Sequence, residues 1–183
     1  GSLEKNPCSA NYAPSPKMDE FYDDEKRNTR HVGYKYTEYS EGVFMGYRAE
    51  EHFGITPEYP FGFGLTYTTF SYSNFSVGRV KKDGVDITFR VTNTGNFDAA
   101  DVPQIYVTEK SPSIPRPKRE LKGFDRKLIA AGESVDFHIH LPLDAFAHYD
   151  IASHSWKVNS GKYIIGLGSS SNDIVLSTSV TIK

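Results

Sequence analysis

Short runs of alternating apolar and polar residues fill the chain from about residue 70 to its end. The clearest are VDITFRVTN at 85–93 and VDFHIHL at 135–141, followed by KYIIGLG at 162–168 and IVLSTSVTI at 174–182. An alternation with a period of two is the pattern of a β-strand that buries one face. The residues predicted to face the core in the first two runs are Val85, Ile87, Phe89, Val91, Val135, Phe137, Ile139 and Leu141.

Clusters of turn-forming residues separate these runs. They are KDG at 82–84, NTGN at 93–96, AGE at 131–133 and NSG at 159–161. The run FSYSNFSV at 70–77 changes phase in its middle, which predicts a β-bulge near Ser73 and Asn74. No amphipathic helix pattern lies between the strands. We therefore predict an all-β fold, an immunoglobulin-like antiparallel β-sandwich with an extended, irregular N-terminal segment.

Residues 1 to about 41 are polar and irregular, yet they contain six aromatic side chains, which favours a segment that lies on a protein surface. The net charge of −2 gives no electrostatic reason to expect a nucleic acid or an anionic membrane as a partner. No apolar run approaches the ~20 residues of a membrane span. Cys8 is the only cysteine, so it forms no internal disulfide. The opening Gly-Ser resembles a cloning remnant, and we expect the chain to be a piece of a larger protein.

Candidates for catalysis are few. Four glutamates lie close together in sequence, at Glu38, Glu41, Glu50 and Glu51. A glycosidase needs two carboxylates roughly 5–10 Å apart, but carboxylates on a solvated segment have no reason to differ in pKa. Surface charge is therefore the preferred interpretation. The serines at 169–171 lack the G-x-S-x-G motif of an activated nucleophile. We predict no catalytic residue and no cofactor-binding residue in this chain.

His138 and His140 stand two positions apart in a predicted strand, so they share one face and could ligate a metal together. That face is opposite the core and no third ligand lies nearby in sequence. An exposed, structural histidine pair is the preferred interpretation, and no metal site is predicted. The motif Asn74-Phe75-Ser76 fits the N-glycosylation pattern, but so short a motif is frequent by chance.

The stretch RPKRELKGFDRK at 116–127 is basic, but the whole chain is not. A solvated strand edge that discourages edge-to-edge pairing is therefore favoured over a nucleic-acid patch. The single tryptophan, Trp156, could stack on a sugar ring. Its alternating context HSWKV instead favours a position in the core or between the sheets.

Glycines and prolines alternate with large rings in PEYPFGFGLTYTTFSYSNFSV at 57–77. This run follows YSEGVFMGYR at 39–48 and precedes RPKRELKGFDR at 116–126 and GLGSSSNDI at 166–174. In this order the four segments resemble the C-terminal end of glycoside hydrolase family 3, the β-glucosidase and β-xylosidase group. In that family a (β/α)8 barrel and an α/β sandwich precede a fibronectin type III-like domain.

The resemblance implies a fibronectin type III-like domain at 70–183. It also implies that residues 1–69 are an extended leader, a closing strand and a connector from an absent α/β sandwich domain. The family's nucleophilic aspartate and acid/base glutamate lie outside this last domain, and no residue here matches either motif. The chain alone is thus expected to be inactive. It would pack on and stabilise the barrel and the α/β sandwich of the same parent chain.

The parent implied by the resemblance is a β-glucosidase that hydrolyses terminal β-D-glucosyl residues, with a periplasmic or extracellular location. The alternative is a carbohydrate-binding module that holds a polymeric glycan. The pattern of VFMGY at 43–47 predicts a strand covered on both faces, so residues 39–56 could also pair with another copy of the chain. The rings of Phe61, Phe63 and Tyr67 are expected to be anchored against the sandwich.

Overall fold

The computed structural model describes residues 41–183. The chain divides into two compact units, with the boundary between Glu58 and Tyr59. The larger unit therefore includes residues 59–69 together with the predicted sandwich. The domain boundary predicted at 69/70 stays a prediction. Within residues 41–183 no helix is both long enough and apolar enough to cross a membrane.

Eleven strands lie between residues 70 and 182, and five of them correspond to the runs at 70–77, 85–93, 135–141, 162–168 and 174–182. They are β1 (Phe70–Val77), β2 (Gly84–Asn93), β3 (Ala99–Asp101), β4 (Gln104–Glu109), β5 (Glu120–Phe124), β6 (Lys127–Ile129), β7 (Ser134–Pro142), β8 (His148–Asp150), β9 (Ser155–Lys157), β10 (Gly161–Ser170) and β11 (Asp173–Ile182). A 3-10 helix at Leu143–Phe146 follows β7.

The strands form two larger antiparallel sheets, in the orders β1-β2-β7 and β11-β10-β4-β5. Two-stranded ladders β3-β6 and β8-β9 complete the unit. The predicted antiparallel β-sandwich is therefore confirmed. At the start of β2, Gly84 has a φ of 134°, and a Cβ there would come within 2.0 Å of the Leu141 carbonyl oxygen. Only glycine fits at this close approach of two backbones.

The core lies between the two larger sheets and follows the predicted phase of β2 and β7. Phe89 and Phe137 stack on each other with ring centroids 5.2 Å apart. The buried cluster consists of Val85, Ile87, Phe89, Val91, Ile105, Val107, Ile129, Phe137, Ile139, Leu141, Phe146, Tyr163, Ile165, Leu167 and Ile182. The predicted bulge in β1 is also present, because the pairing of β1 with β2 shifts between Ser73 and Ser76. Asn74 has a φ of 53° there.

The described part of the first unit, residues 41–58, contains one helix, α1 (Tyr47–Phe53). The strand predicted at 43–47 is not present, which corrects that expectation. Gly42 and Gly46 have φ values of 56° and 53°, so the chain turns on both sides of the apolar run. The following YRAEEHF contains good helix formers, and Gly54 in the left-handed conformation ends the helix.

Candidate functional site

A groove of about 900 Å³ lies on the sandwich unit. One side of it is formed by part of residues 57–72, which we call the aromatic-glycine run, and the other side by the four-stranded sheet. We call this groove the junction groove. Its apolar lining includes side chains of the run itself, of β5 and of β11, among them Phe61, Phe63, Leu65, Phe124 and Val175. Leu65 is 90% exposed and Phe124 is 65% exposed. Residues 57–72 stand out in the sequence, but no sequence signal places Phe124 and Val175 beside them, because that depends on sheet order.

The aromatic-glycine run is held to the sandwich by its backbone. The Ser171 N–H donates to the Phe61 carbonyl oxygen at 2.9 Å, and the Gln104 side-chain amide donates to the Gly62 carbonyl oxygen at 3.1 Å. The expected anchoring of the Tyr67 ring is wrong, since Tyr67 is 93% exposed. Phe61 and Phe63 are about half exposed and line the groove. Gly62 allows the backbone of the run to come close to the Gln104 side chain.

Tyr72 and Asp101 are two of the polar residues that line the groove. The Tyr72 hydroxyl donates to Asp101 Oδ2 at 2.9 Å. Burial, together with the Asp101 carboxylate, raises the pKa of Tyr72 far above its usual value, so the hydroxyl stays protonated. Burial also raises the pKa of Asp101, although the Tyr72 hydrogen bond opposes the shift. The two polar groups therefore hydrogen-bond to each other within the groove.

His138 and His140 lie on the exposed face of β7, where their pattern places them. Both approach the same carboxylate oxygen of Asp86 across the ladder, at 3.2 Å for His138 and 2.9 Å for His140. The hydrogen bond with Asp86 raises the pKa of His140 and lowers the pKa of Asp86. Among the residues that the structure describes, no group of three or more potential ligands could hold a metal ion.

Glu41, Glu50 and Glu51 are half-buried residues of the first unit, and Glu38 lies outside the described residues. Ser169 Oγ donates to Asp173 Oδ2 at 2.6 Å, while Ser170 and Ser171 are buried. The prediction that the chain contains no catalytic residue stays a prediction.

The basic stretch at 116–127 is only partly the solvated edge that its composition suggests. Arg116 is buried, and its guanidinium donates to Glu109 at 2.7 Å and to Glu120 at 2.9 Å. It also donates to the carbonyl oxygens of Phe146 and Ala147. Burial alone would lower the pKa of Arg116, but the two carboxylates outweigh it and the pKa is raised. Arg116 therefore ties the start of β5 to β4 and to the 3-10 helix.

Trp156 is not in the core, which corrects the interpretation of its sequence context. It lies on β9 in the two-stranded β8-β9 ladder and is 71% exposed. A short alternating run has the same pattern whether its strand belongs to the sandwich or to a separate hairpin. The pairing partner decides the environment, and here it is Tyr149 rather than a core strand.

The model of the fibronectin type III-like domain matches residues 101–171. Over 147 residues the chain is 40% identical to an exo-α-(1→6)-L-arabinopyranosidase of Bifidobacterium longum, covering 80% of this chain and 19% of that protein. It is 41% identical over 151 residues to the thermostable β-glucosidase B of Acetivibrio thermocellus, covering 80% of this chain and 20% of that protein.

Among solved structures, the chain is similar to a GH3 β-glucosidase of Bifidobacterium adolescentis, with a TM-score of 0.78 and 38% identity over 81% of this chain and 22% of that chain. β-Glucosidase 3B of Thermotoga neapolitana in complex with glucose matches with a TM-score of 0.76 and 32% identity, over 81% of this chain and 21% of that chain. The chain thus spans about a fifth of the length of these relatives. The matches confirm the resemblance and the fibronectin type III-like fold.

Proposed function

We propose that this chain, which contains a fibronectin type III-like domain similar to part of family 3 β-glucosidases, is a non-catalytic accessory part of such an enzyme. It packs on the catalytic domains of its parent chain and stabilises them. By resemblance, those domains are a barrel and an α/β sandwich, and the parent hydrolyses terminal β-D-glucosyl residues. The relatives support this proposal, since each is about five times longer than the part matched here.

The exposed junction groove is the observation that carries the proposal. Part of its apolar surface stands on a segment whose backbone is already fixed to the sandwich by Gln104 and Ser171. Exposed apolar surface is unfavourable in water by about 25 cal/mol per Å², and contiguous patches of this kind usually mark an interaction surface. A fixed backbone also lowers the entropy lost when a partner docks. The partner that fits is the part of the parent chain that precedes Leu3.

The test uses the two parts of the parent as separate polypeptides. The coding sequence upstream of Leu3 is recovered, and the part that it encodes is produced alone and mixed with this chain. We expect a one-to-one complex in sedimentation velocity and a higher melting temperature for the preceding part. The double variant Leu65→Ser/Phe124→Ser should lose the complex while keeping its own urea midpoint, because both side chains are exposed.

Leu128→Ser is the matched control, since Leu128 is 70% exposed and does not line the junction groove. It should bind the preceding part as well as the unmodified chain does. If the two parts sediment independently, or if the groove variant binds unchanged, the groove is not the docking surface. Self-association of this chain alone, abolished by the same groove variant, would assign the groove to a second copy instead.

A further inference from the structure

The β8-β9 ladder forms a small hairpin outside both larger sheets. Tyr149 and Trp156 pair directly across it, so their side chains project from the same face. Their ring centroids are 5.7 Å apart and the planes meet at 76°, which gives an edge-to-face corner. Tyr149 is 46% exposed, and Ile151 beside it in the turn is also exposed. The corner therefore presents an open aromatic surface to solvent.

The corner also has polar groups that make no internal contacts. Within residues 41–183, neither the Tyr149 hydroxyl nor the Trp156 indole N–H has a hydrogen-bond partner. Tyrosine and tryptophan combine a flat apolar ring with one polar tip, and such residues are typical of ligand and interface sites. A ligand with both an apolar face and peripheral hydroxyl groups would match the two rings and the two polar tips at once.

The opposite side of the hairpin holds this corner in place. Asp150 accepts hydrogen bonds from the Ser153 hydroxyl at 2.5 Å and from the Lys157 ammonium. These contacts lower the pKa of Asp150 to about 2, with the Lys157 hydrogen bond as the largest cause. Hydrogen bonds and an ion pair therefore hold the turn on one side of the hairpin, and the two rings are exposed on the other side. A site that is rigid before binding loses less entropy when it binds.

We propose that the Tyr149–Trp156 corner binds a pyranose ring of a β-glucan. In β-D-glucopyranose all hydroxyl groups are equatorial, so the axial C–H groups form an apolar face that stacks on an aromatic ring. The sugar hydroxyl groups then form hydrogen bonds with the Tyr149 hydroxyl and the Trp156 indole N–H. Neither ring lines the junction groove.

The size of the corner favours a sugar over a protein. A stable protein interface buries about 800 Å² on each partner, whereas this aromatic surface consists of two rings on three-residue strands. The residues around it on the hairpin are mostly polar, with His148, Asp150, Ser155 and Lys157 on the reverse side. One or two sugar rings match these dimensions. Binding is expected to be weak, with a Kd of about 1 mM or more, because the site is open rather than enclosed.

The test uses the intrinsic fluorescence of the protein, since Trp156 is the single tryptophan in the chain. Cellopentaose, a short β-1,4-glucan, should shift and quench the tryptophan emission in a saturable way. Sorbitol, an acyclic polyol without a ring face, should not. Saturation-transfer NMR with cellopentaose gives a second measurement that works without tryptophan.

In that NMR experiment Trp156→Ala and Tyr149→Ala should each weaken binding by about tenfold or more. Phe124→Ala removes an exposed ring from the junction groove and should leave binding unchanged. Unchanged urea midpoints would show that the variants fold. No emission change up to about 20 mM cellopentaose, an equal response to sorbitol, or binding that survives Trp156→Ala overturns the proposal. It is also overturned if only the preceding part of the parent chain changes the emission, because the corner is then a protein contact.

Discussion

Gln104 and Gly62 are joined across 42 positions of the sequence by a hydrogen bond of 3.1 Å from the side-chain amide to the backbone carbonyl oxygen. The same amide donates to the Ser169 carbonyl oxygen at 2.7 Å, and the Gln104 side-chain oxygen accepts from the Tyr106 hydroxyl at 2.6 Å. One buried side chain thus connects the aromatic-glycine run, β4 and β10. The position of the junction groove depends on this connection.

Gly62→Ala should release the aromatic-glycine run from the sandwich. Gly62 has a φ of 81°, and a Cβ there would lie 2.2 Å from the Gln104 side-chain oxygen. The strain of about 1–3 kcal/mol is relieved if the run detaches. We expect faster chymotrypsin cleavage after Phe61 and Phe63 with little change in the urea midpoint. Gly64→Ala is the control, because a Cβ at Gly64 meets nothing within 4 Å. Equal cleavage rates for the two variants would contradict the prediction.

Arg116→Ala should destabilise the sandwich by about 3–5 kcal/mol, because it leaves two largely buried carboxylates without their cation. Glu109 and Glu120 both bind this guanidinium and have little exposed surface. Urea denaturation measures the effect. Lys118→Ala, an exposed cation in the same stretch, should change the free energy of unfolding by less than about 0.5 kcal/mol. Similar losses for both variants would show that the ion pairs of Arg116 are not what stabilises this region.

Phe89→Ala should cost about 3–5 kcal/mol, since it removes a fully buried ring that stacks on Phe137. The neighbouring Thr88 points to the exposed face of β2, so Thr88→Ala should cost far less. Urea midpoints of the two variants measure the difference. A similar shift for both would mean that β2 does not bury the face assigned to it.

Asp86→Asn should lower the pKa of His140, because the hydrogen bond with the Asp86 carboxylate is the main cause of its raised value. An NMR titration of the His140 ring measures the change. Since the folded-state pKa is raised, the His140 contribution to stability is complete below pH ~6.5 and is lost as the pH rises through the folded pKa. The variant should reduce this dependence, since the contact of His140 with the Asp83 carbonyl oxygen remains. An unchanged His140 titration would assign the shift to the Asp83 carbonyl oxygen instead.

The chain alone should not hydrolyse aryl β-glucosides or aryl β-xylosides. The motivation is that no residue matches the family's catalytic motifs, and the two neighbouring carboxylates of Glu109 and Glu120 are both bound by the Arg116 guanidinium. Release of the chromogenic phenol is the measurement. Turnover that disappears when one carboxylate of this chain is neutralised would show that the prediction is wrong.

Alternation was sufficient to predict the strands that bury a complete face. In β2 and β7 each apolar side chain recurs every second residue, and a long enough run leaves only one phase that can be buried. The same reasoning fails for Trp156, since the three residues of β9 satisfy the alternation equally well outside the sandwich. The longer an alternating run is, the more reliably it predicts which face of the strand is buried.

Three other features depend on long-range contacts or on backbone conformations that composition does not contain. Arg116 looks like its basic neighbours in the sequence, and only the approach of Glu109 and Glu120 makes its burial favourable. At residues 43–47 the apolar pattern fits a strand, but Gly42 and Gly46 take left-handed conformations that turn the chain. The groove residue Phe124 likewise depends on β5 being the edge strand of its sheet.

The order of the strands has a consequence for how the chain reaches this fold. β10 pairs with β11, which follows it directly in the sequence. In contrast, β2 pairs with β7 and β4 pairs with β10, and several other strands lie between the members of each of these pairs in the sequence. Such non-local pairing requires large loops to close first, and sandwiches of this kind fold in roughly milliseconds to seconds. The β10-β11 hairpin should be among the first pairs to form. Until β4 arrives, the free edge of β10 is open to strands of other molecules, so refolding should lose yield as protein concentration rises.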